Sequence, residues 1–340
     1  MIINNRTPFK ELITILPDPD GVDMLHIILR ASFQTDYKCT VLEKQLSPVI
    51  ADEYWDDPES YSLRYPSDIH TGKPVSEIIL LGQAWAPDGG EAECVDVSLQ
   101  ADTLEKTIRV YGDRWIDNSL MGLTVTSPES FRSIPLVFER AYGGFHIVDE
   151  KKGEIYRENR NPVGVGFKGK RNKELIGTPA PNLEDPSYPF KGPSNKGMPA
   201  CFGPIAPWWE PRKMYAGTYD AHWQETRAPF LPVDFNPLFN CCADSSLRFN
   251  KYVTGGEKFL IRGAHPEGNL AFALPSCAFD VGVSRGHRTV KVQLVCETII
   301  IEPDENRFSM TFRGMLRGVQ KLTEIDTVRI TLAKIKGATL

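Results

Sequence analysis

The chain has 340 residues, of which 41% are hydrophobic and 24% charged, as in ordinary soluble globular proteins. Its formal net charge of −5 argues against a general nucleic-acid-binding surface, which requires a basic field. No apolar run approaches the roughly 18 residues that a transmembrane helix needs, and no signal-peptide pattern follows the first residues. We therefore expect a soluble protein that neither binds nucleic acid nor inserts into a membrane.

The cysteine pattern indicates a reducing compartment. The seven cysteines are an odd number and include no Cys-x-x-Cys pair. Several lie inside apolar runs, as Cys296 does in VQLVCETIII. Buried, reduced thiols are typical of cytosolic proteins, so we expect a cytoplasmic location and no disulfide framework.

The first part of the chain contains alternating strand patterns. Residues 11–16 and 24–34 are separated by the turn cluster PDPDG, and together they predict a β-hairpin. In the second run the apolar side chains alternate with His26, Arg30 and Ser32. A polar loop is expected next, over residues 46–74. Further strands are then predicted at 77–85, 94–99, 104–111 and 134–139.

Strand patterns return in the last third of the chain. They are predicted at residues 258–262, 269–274, 289–301, 308–312 and 328–335. Helical spacing is rare, with short helices expected at 221–227 and 314–324. We therefore predict a mainly β protein, a two-sheet sandwich or open barrel. No linker is visible, so residues 1–340 are predicted to form one continuous domain, with residues 146–240 as a long irregular segment packed on the β core.

The irregular centre, residues 131–240, is rich in proline, glycine and aromatic side chains. Long ordered irregular segments are uncommon and are often functional. The aromatic side chains either pack the segment onto the sheets or form an exposed platform for a protein partner, because Trp, Tyr and Arg dominate interface hot spots. The candidate partner-binding residues are Trp208, Trp209, Arg212, Tyr215, Tyr219, Trp223 and Arg227.

Two short motifs suggest chemistry but lack the context that it requires. Residues 282–286 match Gly-x-Ser-x-Gly around Ser284, yet a nucleophile elbow must be followed by a helix, and here a strand pattern follows. A hairpin is therefore expected. Gly164-x-Gly166-x-x-Gly169 resembles a dinucleotide fingerprint, but no strand precedes it and no helix follows. A nearby basic cluster favours a solvated loop: Arg157, Arg160, Lys168, Lys170, Arg171 and Lys173.

Titratable residues show no arrangement typical of a metal or catalytic site. The carboxylates of Glu184 and Asp185, and those between Asp220 and Asp234, are expected to accept backbone N–H bonds or to pair with arginines. The histidines are dispersed and lack metal-binding spacing: His26, His70, His146, His222, His265 and His287. No catalytic residue, metal or cofactor is therefore predicted.

Longer motifs resemble a known family. They include NRTPF from Asn5, LGQAWAP from Leu81, VYGDRW from Val110, PLVFERAYGG from Pro135 and NPVGVGF from Asn161. PNLEDP, FGPI and GTYD follow in the same order. The chain thereby resembles bacterial proteins described as a domain of unknown function and encoded beside type VI secretion spike and effector genes. Two mild departures are Arg30-Ala31-Ser32-Phe33 for Lys-Ala-Thr-Phe, and Tyr65-Pro66-Ser67-Asp68 for Tyr-Pro-x-Lys.

The resemblance implies a cytoplasmic adaptor or chaperone with no established catalytic residue. Its expected partners are a secreted effector and spike proteins of the VgrG or PAAR type, and it implies no cofactor. The alternative is a hydrolase-like enzyme acting through carboxylates or Ser284 in a central cleft. An adaptor requires an exposed apolar or aromatic surface, whereas an enzyme requires a pocket with converging carboxylates, His or Ser.

Overall fold

The computed structural model describes residues 1–120, 122–149, 154–167, 172–192 and 197–339. The predicted mainly β class is confirmed, with one short α-helix, α1 (Ala221–Thr226), in the described residues. The strands are β1 (Ile2–Asn5), β2 (Lys10–Pro17), β3 (Asp23–Gln34), β4 (Glu53–Tyr54), β5 (Leu63–Tyr65), β6 (Glu77–Leu80), β7 (Gln83–Trp85), β8 (Cys94–Ala101), β9 (Leu104–Tyr111), β10 (Ile116–Ser119), β11 (Gly122–Val125), β12 (Ser133–Pro135), β13 (Tyr142–Gly143), β14 (Phe145–Asp149), β15 (Glu154–Arg157), β16 (Val165–Gly166), β17 (Leu183–Glu184), β18 (Lys258–Arg262), β19 (Leu270–Ala273), β20 (Ser276–Arg285), β21 (Arg288–Val292), β22 (Val295–Glu302), β23 (Arg307–Arg317) and β24 (Thr327–Lys336).

Single turns of 3-10 helix interrupt the connections. They lie at Pro87–Gly89, Phe138–Arg140, Asn172–Leu175, Arg212–Tyr215, Pro237–Asn240, Ser245–Leu247, Pro303–Glu305 and Leu322–Glu324. None of the helices formed by the described residues is long and apolar enough to cross a membrane.

A five-stranded sheet in the order β2-β3-β23-β22-β6 lies at the centre of the fold. Its first two strands form the predicted hairpin, in which Ile13 pairs with Ile27. Strand β23 is antiparallel to β3 and places Phe308 opposite Phe33. Strand β6 adds in parallel to β22, so this sheet joins strands from both ends of the chain.

Two further sheets flank the central one. The first has five strands in the order β17-β9-β8-β18-β19, and in it the strands predicted at 94–99 and 104–111 pair as β8 and β9. The second has four strands in the order β1-β24-β20-β21. Five two-stranded pairs complete the described sheets, and none of the sheets formed by the described residues closes into a barrel.

One apolar core lies between these sheets. The rings of Phe33 and Phe308 on the central sheet stack at a centroid distance of 5.3 Å, and Phe308 stacks on Phe272 of β19 at 4.7 Å. Phe312 meets Phe279 of β20 edge to face at 5.0 Å. Aromatic side chains bury large apolar areas, so these contacts hold both flanking sheets against the central sheet in sandwich-like layers.

The opposite face of the central sheet is polar but is also buried. Side chains alternate across a strand, so Arg30 and Ser32 of β3 point away from the Phe33 face. Irregular chain covers them: the Ser32 backbone N–H donates to Gln45 Oε1, and Arg30 Nη1 donates to the Ser47 carbonyl. Further along the chain, the Ala243 backbone N–H donates to Glu77 Oε2 of β6. Irregular chain therefore rests on charged and hydroxyl side chains, and this covered face supports the candidate site.

Two predicted strands are each divided between two sheets, so the predictions of single strands were wrong. Residues 77–85 split into β6 and β7 around Gly82, which lies against Pro303. Residues 289–301 split into β21 and β22 at a corner. A Cβ on Gly314 would lie 2.6 Å from Leu294 and Val292 side-chain carbons. Gly314 therefore permits the close approach that the corner requires.

Other boundaries also differ from the predictions. The strand predicted at 134–139 ends at Pro135 and gives way to the turn Phe138–Arg140. The helix predicted at 314–324 is absent from that described stretch, because β23 continues to Arg317 and only Leu322–Glu324 is helical. The helix predicted at 221–227 is confirmed as α1, whose N-terminus is capped by Asp220.

Candidate functional site

The predicted partner-binding residues fall into a buried and an exposed group. Trp209 and Arg212 are buried, so most of each side chain is inaccessible to a partner. Trp208 is 38% exposed and Tyr219 is exposed. The remaining three residues are half-buried: Tyr215, Trp223 and Arg227.

Trp209 anchors the irregular segment to a small core of its own. Its ring meets Phe138 edge to face at 5.2 Å, and Leu63 and Ile205 belong to the same cluster. Arg212 lies nearby and holds the chain by donating from Nε to the Phe239 carbonyl and from Nη1 to the Ile205 carbonyl. Both residues thus stabilise the segment internally.

An apolar groove of about 480 Å³ lies between two irregular stretches of chain. Residues 50–52 and 67–71 line it on one side, and residues between Pro207 and Asn240 line it on the other. Its apolar lining consists mainly of Ile50, Ile69, Pro207, Leu231, Phe235 and Phe239. We call this feature the apolar groove.

Exposed apolar side chains adjoin the apolar groove. Ile50, in its lining, is 72% exposed. Trp208 follows Pro207 in the chain, and Phe230 and Val233 lie within two residues of Leu231; Val233 is 87% exposed. Exposed apolar surface commonly marks a protein interaction site, so the apolar groove and these neighbours are a candidate interface.

Internal hydrogen bonds fix the conformation of the loop that carries Leu231, residues 218–234. Asp234 accepts hydrogen bonds from the Thr218 backbone N–H at 2.9 Å and from its hydroxyl at 2.7 Å. Within the loop, Trp223 Nε1 donates to the Phe230 carbonyl at 2.9 Å. Arg227 donates to the carbonyls of Leu231 and Pro19, tying the loop to the β2–β3 turn. These contacts preorganise one wall of the groove, which lowers the entropy cost of binding.

A buried ionic network lies behind the groove. Arg313 Nε donates to Glu297 Oε2 at 2.7 Å, and its Nη2 donates to the Asp68 carbonyl at 2.7 Å. Lys73 Nζ donates to Glu77 Oε1 and to Thr298 Oγ1, both at 2.6 Å. The two cations and two carboxylates are all buried, so each charge has the partner that burial requires.

Two histidines meet at Arg313. His70 Nε2 lies 3.0 Å from Arg313 Nη2, and His26 Nδ1 lies 3.3 Å from Nη1. Burial, followed by the charge of Arg313, lowers the pKa of His26 to about 4 and that of His70 well below its usual value. Both rings are therefore neutral near pH 7.

His70 and Asn240 connect the network to the groove, because both line it. Asn240 Nδ2 donates to the Gly72 carbonyl at 2.6 Å, next to Lys73. The sequence did not predict this buried ionic network or its link to the groove. One signal was available: in β3, the polar residues His26 and Arg30 alternate with apolar neighbours.

Ser284 lies within a β-hairpin, as the sequence predicted. Strand β20 continues to Arg285 and β21 begins at Arg288, so no helix follows the serine, as a nucleophile elbow would need. Its Oγ is hydrogen bonded to Thr289 Oγ1 across the hairpin at 2.9 Å.

The glycine-rich motif packs against backbone. A Cβ on Gly164 would lie 2.5 Å from the Ala141 carbonyl oxygen, and Gly166 has a positive φ of 88°. These glycines therefore serve local packing around β13 and β16. Gly169 and the cluster members Lys168, Lys170 and Arg171 lie outside the described residues, as does the side chain of Lys173.

The carboxylates singled out in the sequence hold the loops together. Glu184 pairs with buried Arg114 and accepts the Phe190 N–H. Asp185 accepts the Ser187 N–H, and Asp220 caps α1. In the described part of the chain, no group of three or more His, Cys, Asp or Glu side chains is placed to hold a metal ion.

Comparison with known proteins identifies the family. Residues 20–313 match the family described as "Uncharacterized protein conserved in bacteria (DUF2169)". The chain belongs to this family. Neither the curated proteins nor the solved structures compared with it gave a match.

The family match extends over both parts of the candidate site. It includes every residue that lines the apolar groove and runs to Arg313, the centre of the buried network. Strands β1, β2 and β24 lie outside it.

Proposed function

We propose that this protein is an adaptor or chaperone of type VI secretion. It binds and stabilises a secreted effector in the bacterial cytoplasm and helps to load it onto a VgrG or PAAR spike. The observation that carries the binding role is the apolar groove with exposed Ile50, Trp208 and Val233 beside it. The secretion context rests on the resemblance of the sequence motifs.

The proposed action is binding rather than turnover. Exposed aromatic and apolar side chains on a rigid base are suited to an interface, because little conformational entropy is lost on association. The residues proposed for the hydrolase alternative have structural contacts: Ser284 lies in a hairpin, and Glu184 pairs with Arg114. Labelling of Ser284 by a fluorophosphonate probe would contradict the binding role.

The experiment is a pull-down of the tagged protein from its native host while the secretion genes are expressed. Mass spectrometry should recover the effector encoded beside it, with or without the spike protein. A parallel pull-down with the secretion genes silent provides the control. Recovery of neither protein from cells that express both would overturn the proposal.

A further inference from the structure

An acidic stretch begins at one wall of the apolar groove. Residues 52–59 read DEYWDDPE, with five carboxylates and no basic side chain. Asp52 lines the groove, and Glu53, Asp56, Asp57 and Glu59 are exposed. In the described part of the chain, none of the five forms an ion pair.

This acidic stretch is joined to the groove by packing. Tyr54 contacts the small core around Trp209, and its hydroxyl lies beside Trp208. On the opposite side, residues 205–240 contain four acids against three bases, and one of those bases, Arg212, is buried and bonded to backbone. The groove therefore combines an apolar lining with a negative rim.

We infer that the apolar groove takes a basic amphipathic helix of the bound partner. Its apolar side would lie on Ile50, Leu231 and Phe235, and its lysine or arginine side chains would face residues 52–59. Side chains line the groove rather than the free edge of a strand, which favours a helix in a groove over strand addition. Opposite charge at the rim speeds encounter and selects against acidic segments.

This inference deepens the proposed function by naming the partner's chemistry. It is tested directly with a fluorescein-labelled leucine–lysine peptide of amphipathic helical spacing and a leucine–glutamate peptide of the same pattern. Anisotropy titrations should show saturable binding of the lysine peptide alone. Added salt should weaken that binding, because exposed charges are screened.

Matched variants locate the binding. Ile50→Asp, at an exposed residue of the groove lining, and Asp56→Lys should each weaken binding of the lysine peptide by about tenfold or more. Leu120→Asp changes an apolar side chain that is 108% exposed outside the groove lining, and Glu129→Lys changes an exposed acid elsewhere. Both controls should bind as the wild type does. Unchanged melting temperatures confirm that all four variants fold.

Three results would overturn the inference: no saturable binding, equal binding of the two peptides, or groove variants that bind like the controls. The pull-down separates this failure from that of the proposed function. An effector retained equally by wild type and Ile50→Asp leaves the adaptor role standing and removes the groove as its site. If the pull-down captures no effector, the adaptor role is refuted, even when the lysine peptide binds.

Discussion

Glu297 accepts a hydrogen bond from Arg313 Nε at 2.7 Å, and it does so from a β-bulge between β22 and β23. The register shifts between Cys296 and Thr298, so Glu297 is an extra residue in its strand, and bulges redirect side chains in this way. As a result, Glu297 and the adjacent Thr298 both reach the buried network: one accepts from Arg313 and the other from Lys73.

Removing Arg313 should destabilise the fold strongly. Arg313→Met leaves the carboxylate of Glu297 buried without its main partner, which costs about 3–5 kcal/mol. Urea denaturation at pH 7 measures the loss. Arg329→Met removes an exposed arginine of β24 and should change stability by no more than about 0.5 kcal/mol. Equal stabilities for the two variants would show that the Arg313–Glu297 pair does not stabilise the fold.

Stability should fall in mild acid because of His26. Its folded-state pKa of about 4 lies below the unfolded value of 6.5, so the unfolded chain takes up the proton first. The stabilisation is therefore present above pH 6.5 and is lost as the pH falls towards 4. The loss is on the order of 3 kcal/mol from this group.

The pH effect is isolated with His26→Asn, which keeps a hydrogen-bond acceptor but cannot titrate in this range. Urea midpoints between pH 4 and 7 should vary less in this variant than in the wild type. His287→Asn, at the exposed tip of the β20–β21 hairpin, should follow the wild-type profile. A His26→Asn profile parallel to that of the wild type would contradict the assignment.

The adjacent tryptophans should respond differently to truncation. Trp209→Ala empties a buried site beside Phe138 and should cost about 3–5 kcal/mol of unfolding free energy. Trp208→Ala alters a partly exposed side chain, and should leave stability nearly unchanged while weakening effector binding by about 2 kcal/mol. Thermal melts together with affinity measurements separate the two effects. A strongly destabilised Trp208→Ala would refute its role in the interface.

Gly143 should not tolerate a side chain. A Cβ there would lie 2.1 Å from the Asn161 carbonyl oxygen, so Gly143→Ala should lower stability by more than about 1 kcal/mol. Gly90 is the matched control, since its Cβ would meet only the Pro87 oxygen at 3.5 Å, with φ at −85°. Thermal melts should show a lower melting temperature for Gly143→Ala but not for Gly90→Ala. Similar melting temperatures for the two variants would contradict the packing argument.

The alternation of apolar and polar residues predicted individual strands. It did not predict where the chain leaves one sheet and enters another. The period of two in residues 24–34 identified the core face of β3 correctly, because every second side chain there is apolar while the other face carries His26, Arg30 and Ser32. In residues 289–301 the same alternation continues through the corner at Gln293. The strand breaks at this corner because Gly314 packs against Val292 and Leu294. Gly314 is distant in sequence and approaches them only in the folded chain.

The candidate site was only partly predictable for the same reason. The aromatic composition around Trp208 indicated an interface, but it did not show that Trp209 points inward and Trp208 outward. The buried network was hidden because its members come from distant segments: His26 and Arg313 are 287 positions apart. Each is one of several polar residues in its own strand, and only the sheet register brings the two together.

We propose that this protein keeps an effector available for type VI secretion. The experiment that tests this compares effector abundance and secretion in a deletion strain complemented with wild type, Ile50→Asp or Leu120→Asp. We predict that deletion and Ile50→Asp lower effector abundance or delivery while the secretion tube assembles normally, and that wild type and Leu120→Asp restore both. Normal abundance and delivery of the effector in the deletion strain would contradict the adaptor role.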